Sequence, residues 1–231
     1  MGNVFSKNSI FLALSLMLAV ALGLALFFIP KGDLHLLLCD RHSPARDIFY
    51  RYYTHVAEWF PYVLCVLLLL FGRVGDGCFA AACQALSALT TQIIKHILVE
   101  PRPLTWFSQN MPHIQLPLVD GVKMNLWLSF PSGHTTSFFA LAFAASVLIT
   151  KRIAEQSNSL TRQWPTSIAI QTLLFIAAAL GGYSRIYLSQ HFAADVLAGI
   201  CIGTLITVVC YAIFHRFDTQ KWYNYHVLVK K

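Results

Sequence analysis

The chain has 231 residues, a length that suits one domain over residues 1–231, and only 12% of its residues are charged against 57% hydrophobic. Soluble domains usually carry about 25% charged residues, so this composition excludes an ordinary soluble protein. The net charge is +7, but the basic residues lie between long apolar runs, which favours an anionic lipid or phosphate compound over nucleic acid as the partner. The six cysteines form no C-x-x-C pair, which argues against a zinc site or a disulfide framework.

Six apolar segments are long enough to cross a hydrocarbon core of about 30 Å as helices. The first covers residues 8–30 and carries no charge. It is too long for a signal peptide, and no small-residue cleavage site follows it. The other five are predicted at about residues 55–72, 77–99, 132–150, 167–187 and 193–214. The sequence therefore predicts an all-α integral membrane protein, a bundle of six transmembrane helices with both termini on one side.

Basic residues predict the orientation of these spans. With the termini in the cytoplasm, nine Lys and Arg residues lie inside and five outside, once three that are assigned below to a site are set aside. The inside set is Lys7, Arg73, Lys151, Arg152, Arg162, Arg216, Lys221, Lys230 and Lys231, and the outside set is Lys31, Arg41, Arg46, Arg51 and Lys123. The positive-inside rule favours this orientation. We expect the inner membrane of a bacterium, with the opposite face periplasmic.

Residues 43–60, between the first two spans, have aromatic and apolar side chains at helical spacing with charged side chains between them. This pattern predicts an amphipathic helix that lies in the membrane interface. Two roles are open for it: anchoring alone, or contact with a substrate.

Two groups of polar residues lie at the predicted outer end of the third and fourth spans. Charged side chains so near a bilayer are costly, which makes Lys95 and Arg102 functional candidates. The alternative is that both cations only extend from the helix end toward the lipid headgroups. Ser132, Gly133 and His134 begin the fourth span after a proline. A helix N-terminus attracts anions and glycine allows their close approach, whereas the alternative is a serine cap beside an interfacial histidine.

A third group bridges the fifth and sixth spans at the same end. His191 and Asp195 are four residues apart, so on a helix they share a face, and Arg185 precedes them. A carboxylate bound to one ring nitrogen makes the other a better nucleophile or base, although Asp195 could instead cap the helix. The three groups together present two histidines, an aspartate and three cations, which fits the charge of a phosphoryl-transfer transition state.

These three groups are similar to the three-part signature of the type 2 phosphatidic acid phosphatase (PAP2) superfamily. The matching motifs are Lys95-x6-Arg102-Pro103, Pro131-Ser132-Gly133-His134 and Ser184-Arg185-x5-His191-x3-Asp195. They occur in the family's order with no motif residue missing. The resemblance extends to the six-span bundle, so it covers most of the chain.

The resemblance implies a role for each motif residue. His191 would attack phosphorus and form a phosphohistidine, Asp195 would orient it, and His134 would protonate the leaving oxygen. The phosphate oxygens would be held by Lys95, Arg102, Ser132, Gly133 and Arg185. The resemblance implies no metal and no cofactor. The motifs also contain only two carboxylates, Asp195 and Glu100, too few for a magnesium site.

The expected substrate is a membrane lipid with a phosphate or diphosphate headgroup, and no obligate protein partner is evident. Candidates are lipid A, undecaprenyl diphosphate, phosphatidylglycerophosphate and phosphatidic acid. Residues 40–50 resemble bacterial lipid A phosphatases of this superfamily, which favours lipid A, at its 1- or 4′-position. The loop 103–130 is expected to shape the headgroup entrance, or only to anchor; its large apolar residues are Trp106, Phe107, Met111 and Trp127.

Three alternatives belong to other classes. A vanadium-dependent haloperoxidase uses a similar anion cradle, but it would be soluble. A non-catalytic lipid-binding or transport protein has no need of two histidines with an aspartate. A structural membrane protein predicts that the three site cations can be lost without consequence. The histidines outside the motifs are expected in loops or at the interface: His35, His42, His55, His96, His113, His215 and His226.

Overall fold

A computed structural model describes residues 6–40, 42–156 and 160–228. In these ranges all regular structure is helical and no strand occurs. The α-helices are α1 (Ser9–Phe28), α2 (Lys31–Cys39), α3 (Pro44–Tyr53), α4 (Val56–Phe71), α5 (Val74–Leu98), α6 (Pro103–Asn110), α7 (Gly133–Gln156), α8 (Leu160–Tyr187) and α9 (Ala193–Phe214). A short 3₁₀ helix, His215–Phe217, follows α9.

Six helical segments of the described chain are long and apolar enough to cross a membrane. They are Ser9–Phe28, Pro44–Phe71, Val74–Asn110, Gly133–Glu155, Pro165–Tyr187 and Ala193–Phe217. The predicted all-α membrane fold with six spans is therefore confirmed. In α1 only Phe11 and Ser15 are buried, and large apolar side chains such as Leu16, Met17 and Phe27 are exposed, as expected of a helix with one face toward lipid.

The interfacial helix predicted over residues 43–60 is shorter than expected. It ends at Tyr53, and after a turn at Thr54 and His55 the chain resumes as α4, which is the second span. The buried hydroxyl of Thr54 accepts a hydrogen bond of 2.5 Å from Nη1 of Arg185, far along the chain. The turn thus directs a polar side chain into the bundle at a point where the hydropathy pattern shows only continuous helix.

Helix α2 is not predicted by the hydropathy pattern, and it overturns the expectation that His35 lies in a loop or at the interface. Its buried residues include Leu34, His35 and Cys39. The ring of His35 packs against Phe107 and Phe192, with centroid distances of 5.7 and 5.2 Å. His35 is therefore a core residue beneath the end of the bundle that carries the site described below.

Helix α7 lies at the centre of the bundle, in contact with α4, α5, α8 and α9. Its close approach to α9 depends on glycines. A Cβ added at Gly199 would lie 2.8 Å from Cβ of Thr135 and 2.9 Å from the carbonyl oxygen of Ser132. One added at Gly203 would lie 2.5 Å from the carbonyl oxygen of Thr136. Small residues at this spacing let membrane helices pack closely, which brings the first turns of α7 and α9 together.

Charged residues at the opposite end of the bundle form ion pairs. Arg152 lies 2.6 Å from Asp76, and Lys151 lies 2.7 Å from Asp218. The hydroxyl of Tyr223 donates to Asp76 over 2.9 Å. Lys151 and Arg152 belong to the basic residues that are predicted to be cytoplasmic, and these ion pairs lie at the end of the bundle away from the three motifs.

Candidate active site

The three motifs meet at one end of the bundle, and most of their polar side chains are buried. The buried members are Lys95, Arg102, Ser132, Arg185, His191 and Asp195. The backbone N–H of Ser132, just before α7, donates to the carbonyl of Asp195 in the first turn of α9 over 3.0 Å. This bond connects the second motif directly to the third. Burying so many polar groups at one depth of a membrane protein is costly, which marks the cluster as a functional site.

His191 and Asp195 form the pair that their spacing predicts, although they do not share a helix. His191 lies in the turn between α8 and α9, and its Nδ1 is 3.3 Å from Oδ2 of Asp195. The same oxygen accepts a 2.5 Å bond from the Ser129 hydroxyl and a 3.0 Å bond from the Phe192 N–H. Because Asp195 accepts from each neighbour, a neutral His191 carries its proton on Nδ1 and keeps a lone pair on Nε2.

The surroundings of His191 favour its neutral form. Burial, together with the positive charges of Arg102, Arg185 and Lys95, lowers the pKa of His191 well below its usual range. At neutral pH the imidazole is therefore uncharged, which is the form that can attack phosphorus.

Arg102 and Arg185 are joined through Gln190, the residue before His191. The Gln190 side-chain oxygen accepts from Nη1 of Arg102 over 3.0 Å and from Nη2 of Arg185 over 3.5 Å. Its amide nitrogen lies 3.1 Å from the carbonyl of Lys123, so the loop after α6 also contacts this residue. The buried Nε of Arg185 has no hydrogen-bond partner among the described residues, which leaves a donor for an anion.

Lys95 lies in the last turn of α5, and its ammonium donates to the carbonyls of Leu128 and Ser129. An ammonium has three donors, so one remains after these two bonds. The neighbouring His96 is exposed, and its Nδ1 lies 2.8 Å from the Gln92 carbonyl, away from the motif side chains. Lys95 is thus held beside Ser129, the residue that donates to Asp195.

At the start of α7, Ser132 and His134 contact other protein groups. Ser132 is fully buried, and its hydroxyl oxygen accepts from the N–H of Thr135 over 3.4 Å and from the Thr135 hydroxyl over 2.8 Å. The serine therefore does act as a helix cap. His134, two residues into the motif, has its Nε2 3.1 Å from Oε1 of Glu58 on α4.

We expect Gly133→Ala to leave the fold intact and to lower activity about tenfold or more, because a methyl group would occupy the anion's position at the helix N-terminus. A Cβ added at Gly133 meets only Cγ2 of Thr91, at 3.6 Å, which is an ordinary contact. Gly199→Ala is the matched contrast, since it creates the clash described above and should lower the melting temperature. Equal activity in Gly133→Ala and wild type would show that this glycine is not needed for binding.

His35 supports the turn that carries His191. Its Nε2 lies 3.3 Å from the hydroxyl of Ser189, and its Nδ1 has no partner among the described residues. Burial is the main reason why the pKa of His35 falls from 6.5 to about 4.

The lowered pKa predicts acid sensitivity. Between pH 6.5 and about 4 the unfolded chain binds a proton at His35 that the native protein does not. Stability is therefore complete above pH 6.5 and falls as the pH drops, by about 2 kcal/mol at pH 5 for this group. Thermal unfolding in detergent at pH 7.5 and pH 5 should show a larger loss for wild type than for His35→Gln. Equal losses would contradict the prediction.

The segment 103–130 differs from the single loop expected. It begins with α6, and only the part after Asn110 is irregular. Phe107 is buried against α2 and does not line an entrance, whereas Trp127 is exposed. The returning chain is held by backbone bonds of 2.9 Å, from Arg102 to Leu126 and from Ser129 to Glu100. These bonds place Leu128 and Ser129 against Lys95.

Several residues that contact the motif side chains lie outside the motifs or at their unassigned positions, among them Thr54, Glu58, Ser129 and Gln190. No periodicity or spacing identifies them, because each acts through contacts with distant segments. Among the described residues no group of three or more His, Cys, Asp or Glu side chains is arranged to hold a metal ion.

Comparison with known proteins identifies the family. The family model described as the PAP2 superfamily matches residues 76–218. The chain is 25% identical to the lipid A 4′-phosphatase of Porphyromonas gingivalis, over 83% of this chain and 75% of that protein. It is 26% identical to the lipid A 4′-phosphatase of Bacteroides thetaiotaomicron, over 84% of this chain and 81% of that protein.

A solved structure supports the fold. The first transmembrane PAP2-type phosphatidylglycerolphosphate phosphatase from Bacillus subtilis aligns over 94% of this chain and 100% of its own, with a TM-score of 0.63 and 20% identity. Fold and site thus define a membrane phosphatase. The chain belongs to the PAP2 superfamily and is a phosphoric monoester hydrolase.

Proposed function

We propose that the protein removes phosphate from a membrane lipid through a phosphohistidine at His191, without a metal. The observation that carries the proposal is the buried, neutral His191, whose Nδ1 faces Asp195 while three cations surround it. An imidazole held in this way directs its Nε2 lone pair to the phosphorus atom. The cations offset charge on the phosphate oxygens, which is usually the largest contribution to such a reaction.

The reaction takes two steps. The Nε2 lone pair of His191 forms a bond to phosphorus, the bond to the leaving oxygen breaks, and His134 gives that oxygen a proton. Water then attacks phosphorus and passes a proton to His134, and the P–N bond breaks so that its electron pair returns to His191. Lys95, Arg102, Arg185, Ser132 and the amide of Gly133 bind the phosphate oxygens in both steps.

Lipid A is the first candidate substrate, and its 4′-phosphate the first candidate position. The support is the pair of lipid A 4′-phosphatases that match more than four fifths of the chain. The distribution of basic residues favours the periplasmic face for the site, with both termini in the cytoplasm.

The test is phosphate release by purified protein in detergent with EDTA present. The panel holds lipid A, undecaprenyl diphosphate, phosphatidylglycerophosphate and phosphatidic acid, and His191→Ala is assayed beside wild type. We expect release from lipid A, lost in the variant, with mass spectrometry of the product showing which phosphate has gone. Release from a different lipid would replace the substrate, and lipid binding without turnover in either protein would favour the binding-protein alternative.

A further inference from the structure

The junction of α3 and α4 borders the site, although it lies outside residues 76–218, which the family model matches. Thr54 in the junction accepts a hydrogen bond from Arg185. Glu58, one turn further on, contacts His134. The second span therefore supplies one side chain to a candidate phosphate-binding residue and another to the candidate acid.

Glu58 uses each of its carboxylate oxygens for a different histidine. Oε1 lies 3.1 Å from Nε2 of His134, and Oε2 lies 2.9 Å from Nδ1 of His55. The His134 side chain is 26% exposed and that of His55 is 53% exposed, so the contact with His134 is on the inner side. A carboxylate at the end of a membrane helix is costly, and the contact with His134 offsets part of that cost.

The contact determines which nitrogen of His134 is left for the substrate. A carboxylate accepts only, so Nε2 of His134 donates to Glu58, and Nδ1 is the nitrogen that remains. His191 shows the same arrangement with the nitrogens exchanged, since its Nδ1 faces Asp195. The site thus contains two carboxylate–imidazole pairs, one for the nucleophile and one for the acid.

We propose that Glu58 is a positioning residue that holds His134 with Nε2–H toward its carboxylate and Nδ1 toward the leaving oxygen. The inference rests on the function proposed above and adds a residue from outside the three motifs.

The proton cycle follows from this arrangement. The imidazolium of His134 releases the proton on Nδ1 to the leaving oxygen as the P–O bond breaks, and it becomes neutral with Nε2–H still bound to Glu58. Its Nδ1 lone pair then accepts a proton from the water that attacks the phosphohistidine, which restores the imidazolium. Glu58 keeps its negative charge throughout. The contact therefore lets His134 change between its imidazolium and neutral forms without rotation of the ring.

The charges around His134 explain why a carboxylate is needed. Arg185 on α8 and His191 in the turn before α9 act on it from the site, and Glu58 with His55 faces it from the junction. Burial and the arginine oppose a positive charge on His134, whereas Glu58 favours one. Without Glu58 the acid form would be lost at a lower pH than in the intact site.

The test compares Glu58→Gln with wild type across a range of pH, using full-length protein in detergent and lipid A as substrate. Glutamine can still accept a hydrogen bond but has no charge. We expect kcat to fall about 10- to 100-fold at the alkaline end, with KM within about threefold of wild type and the alkaline limb of the profile moved to lower pH. His55→Gln, which changes the other partner of the same carboxylate, is the control and should keep the wild-type profile.

A substrate-free measurement makes the test independent of the proposed function. In the histidine side-chain NMR spectrum, the resonance that is missing in His134→Gln should titrate at a lower pH in Glu58→Gln than in wild type. An unchanged titration and an unchanged pH profile would overturn the role of Glu58 even if His191→Ala is inactive. Full activity in His191→Ala would instead overturn the proposed function, while the NMR result would still decide whether Glu58 controls His134.

Discussion

Replacing His191 with alanine is expected to lower kcat by at least about 10⁴-fold, because the variant has no nucleophile to form the covalent intermediate. Binding of lipid should persist, since the three cations remain in place. Phosphate release under saturating substrate measures the effect. His96→Ala is the matched control, because His96 adjoins the site residue Lys95 in sequence but is exposed and bonds the Gln92 carbonyl.

Added imidazole separates loss of chemistry from loss of structure. If the cavity left in His191→Ala is intact, free imidazole can enter it and restore part of the activity. A variant that retains more than about a tenth of wild-type activity without imidazole would contradict a nucleophilic role for His191.

The second large effect is expected for Arg185→Lys, which should lower kcat/KM by about 10²- to 10³-fold although the charge is kept. The planar guanidinium bonds Thr54 and Gln190 with its two terminal nitrogens, and its buried Nε has no partner among the described residues. A lysine ammonium cannot reproduce this fork, so it would lose either the protein contacts or the contact with phosphate. Steady-state kinetics at several lipid concentrations measures the change.

Arg152→Lys is the control for this substitution. Arg152 pairs with Asp76 at the other end of the bundle and has no contact with the site. We expect its kinetics to equal those of wild type. If Arg185→Lys also behaves as wild type, then Arg185 supplies only charge, and the planar geometry of its guanidinium is not needed for activity.

The part of the site that sequence predicts well is the part encoded in short spacings. His191 and Asp195 are four residues apart, and their contact forms through one turn of chain. The start of α7 at Gly133 follows from the proline before it and the polar residues at the helix N-terminus. In each case the interaction is local, so the order of residue types is enough to predict it.

The residues that sequence does not reveal act over long separations. Glu58 contacts His134 across 76 residues, and Gln190 contacts Arg102 across 88. Neither residue type is unusual where it occurs, and only the packing of α4 and the position of the turn after α8 bring them to the site. A single sequence contains no signal for such pairs.

Helix boundaries show the same limit. Hydropathy predicts the six spans because lipid imposes length and apolarity on each. It does not predict α2, whose buried face contacts other protein segments, or the turn at Thr54, whose hydroxyl is satisfied by Arg185. Where a residue is surrounded by protein and not by lipid, hydropathy does not locate the helix boundary.

The proposed reaction depends on the phosphohistidine at His191, and trapping this intermediate is the most direct test. Wild-type protein would be mixed with lipid A that carries radiolabelled phosphate, stopped in alkali within the first turnover, and digested for mass spectrometry. We expect label on the peptide that contains His191, at that residue, and none in His191→Ala. Product formation in the first turnover without label on the protein, or with label on another residue, would contradict it.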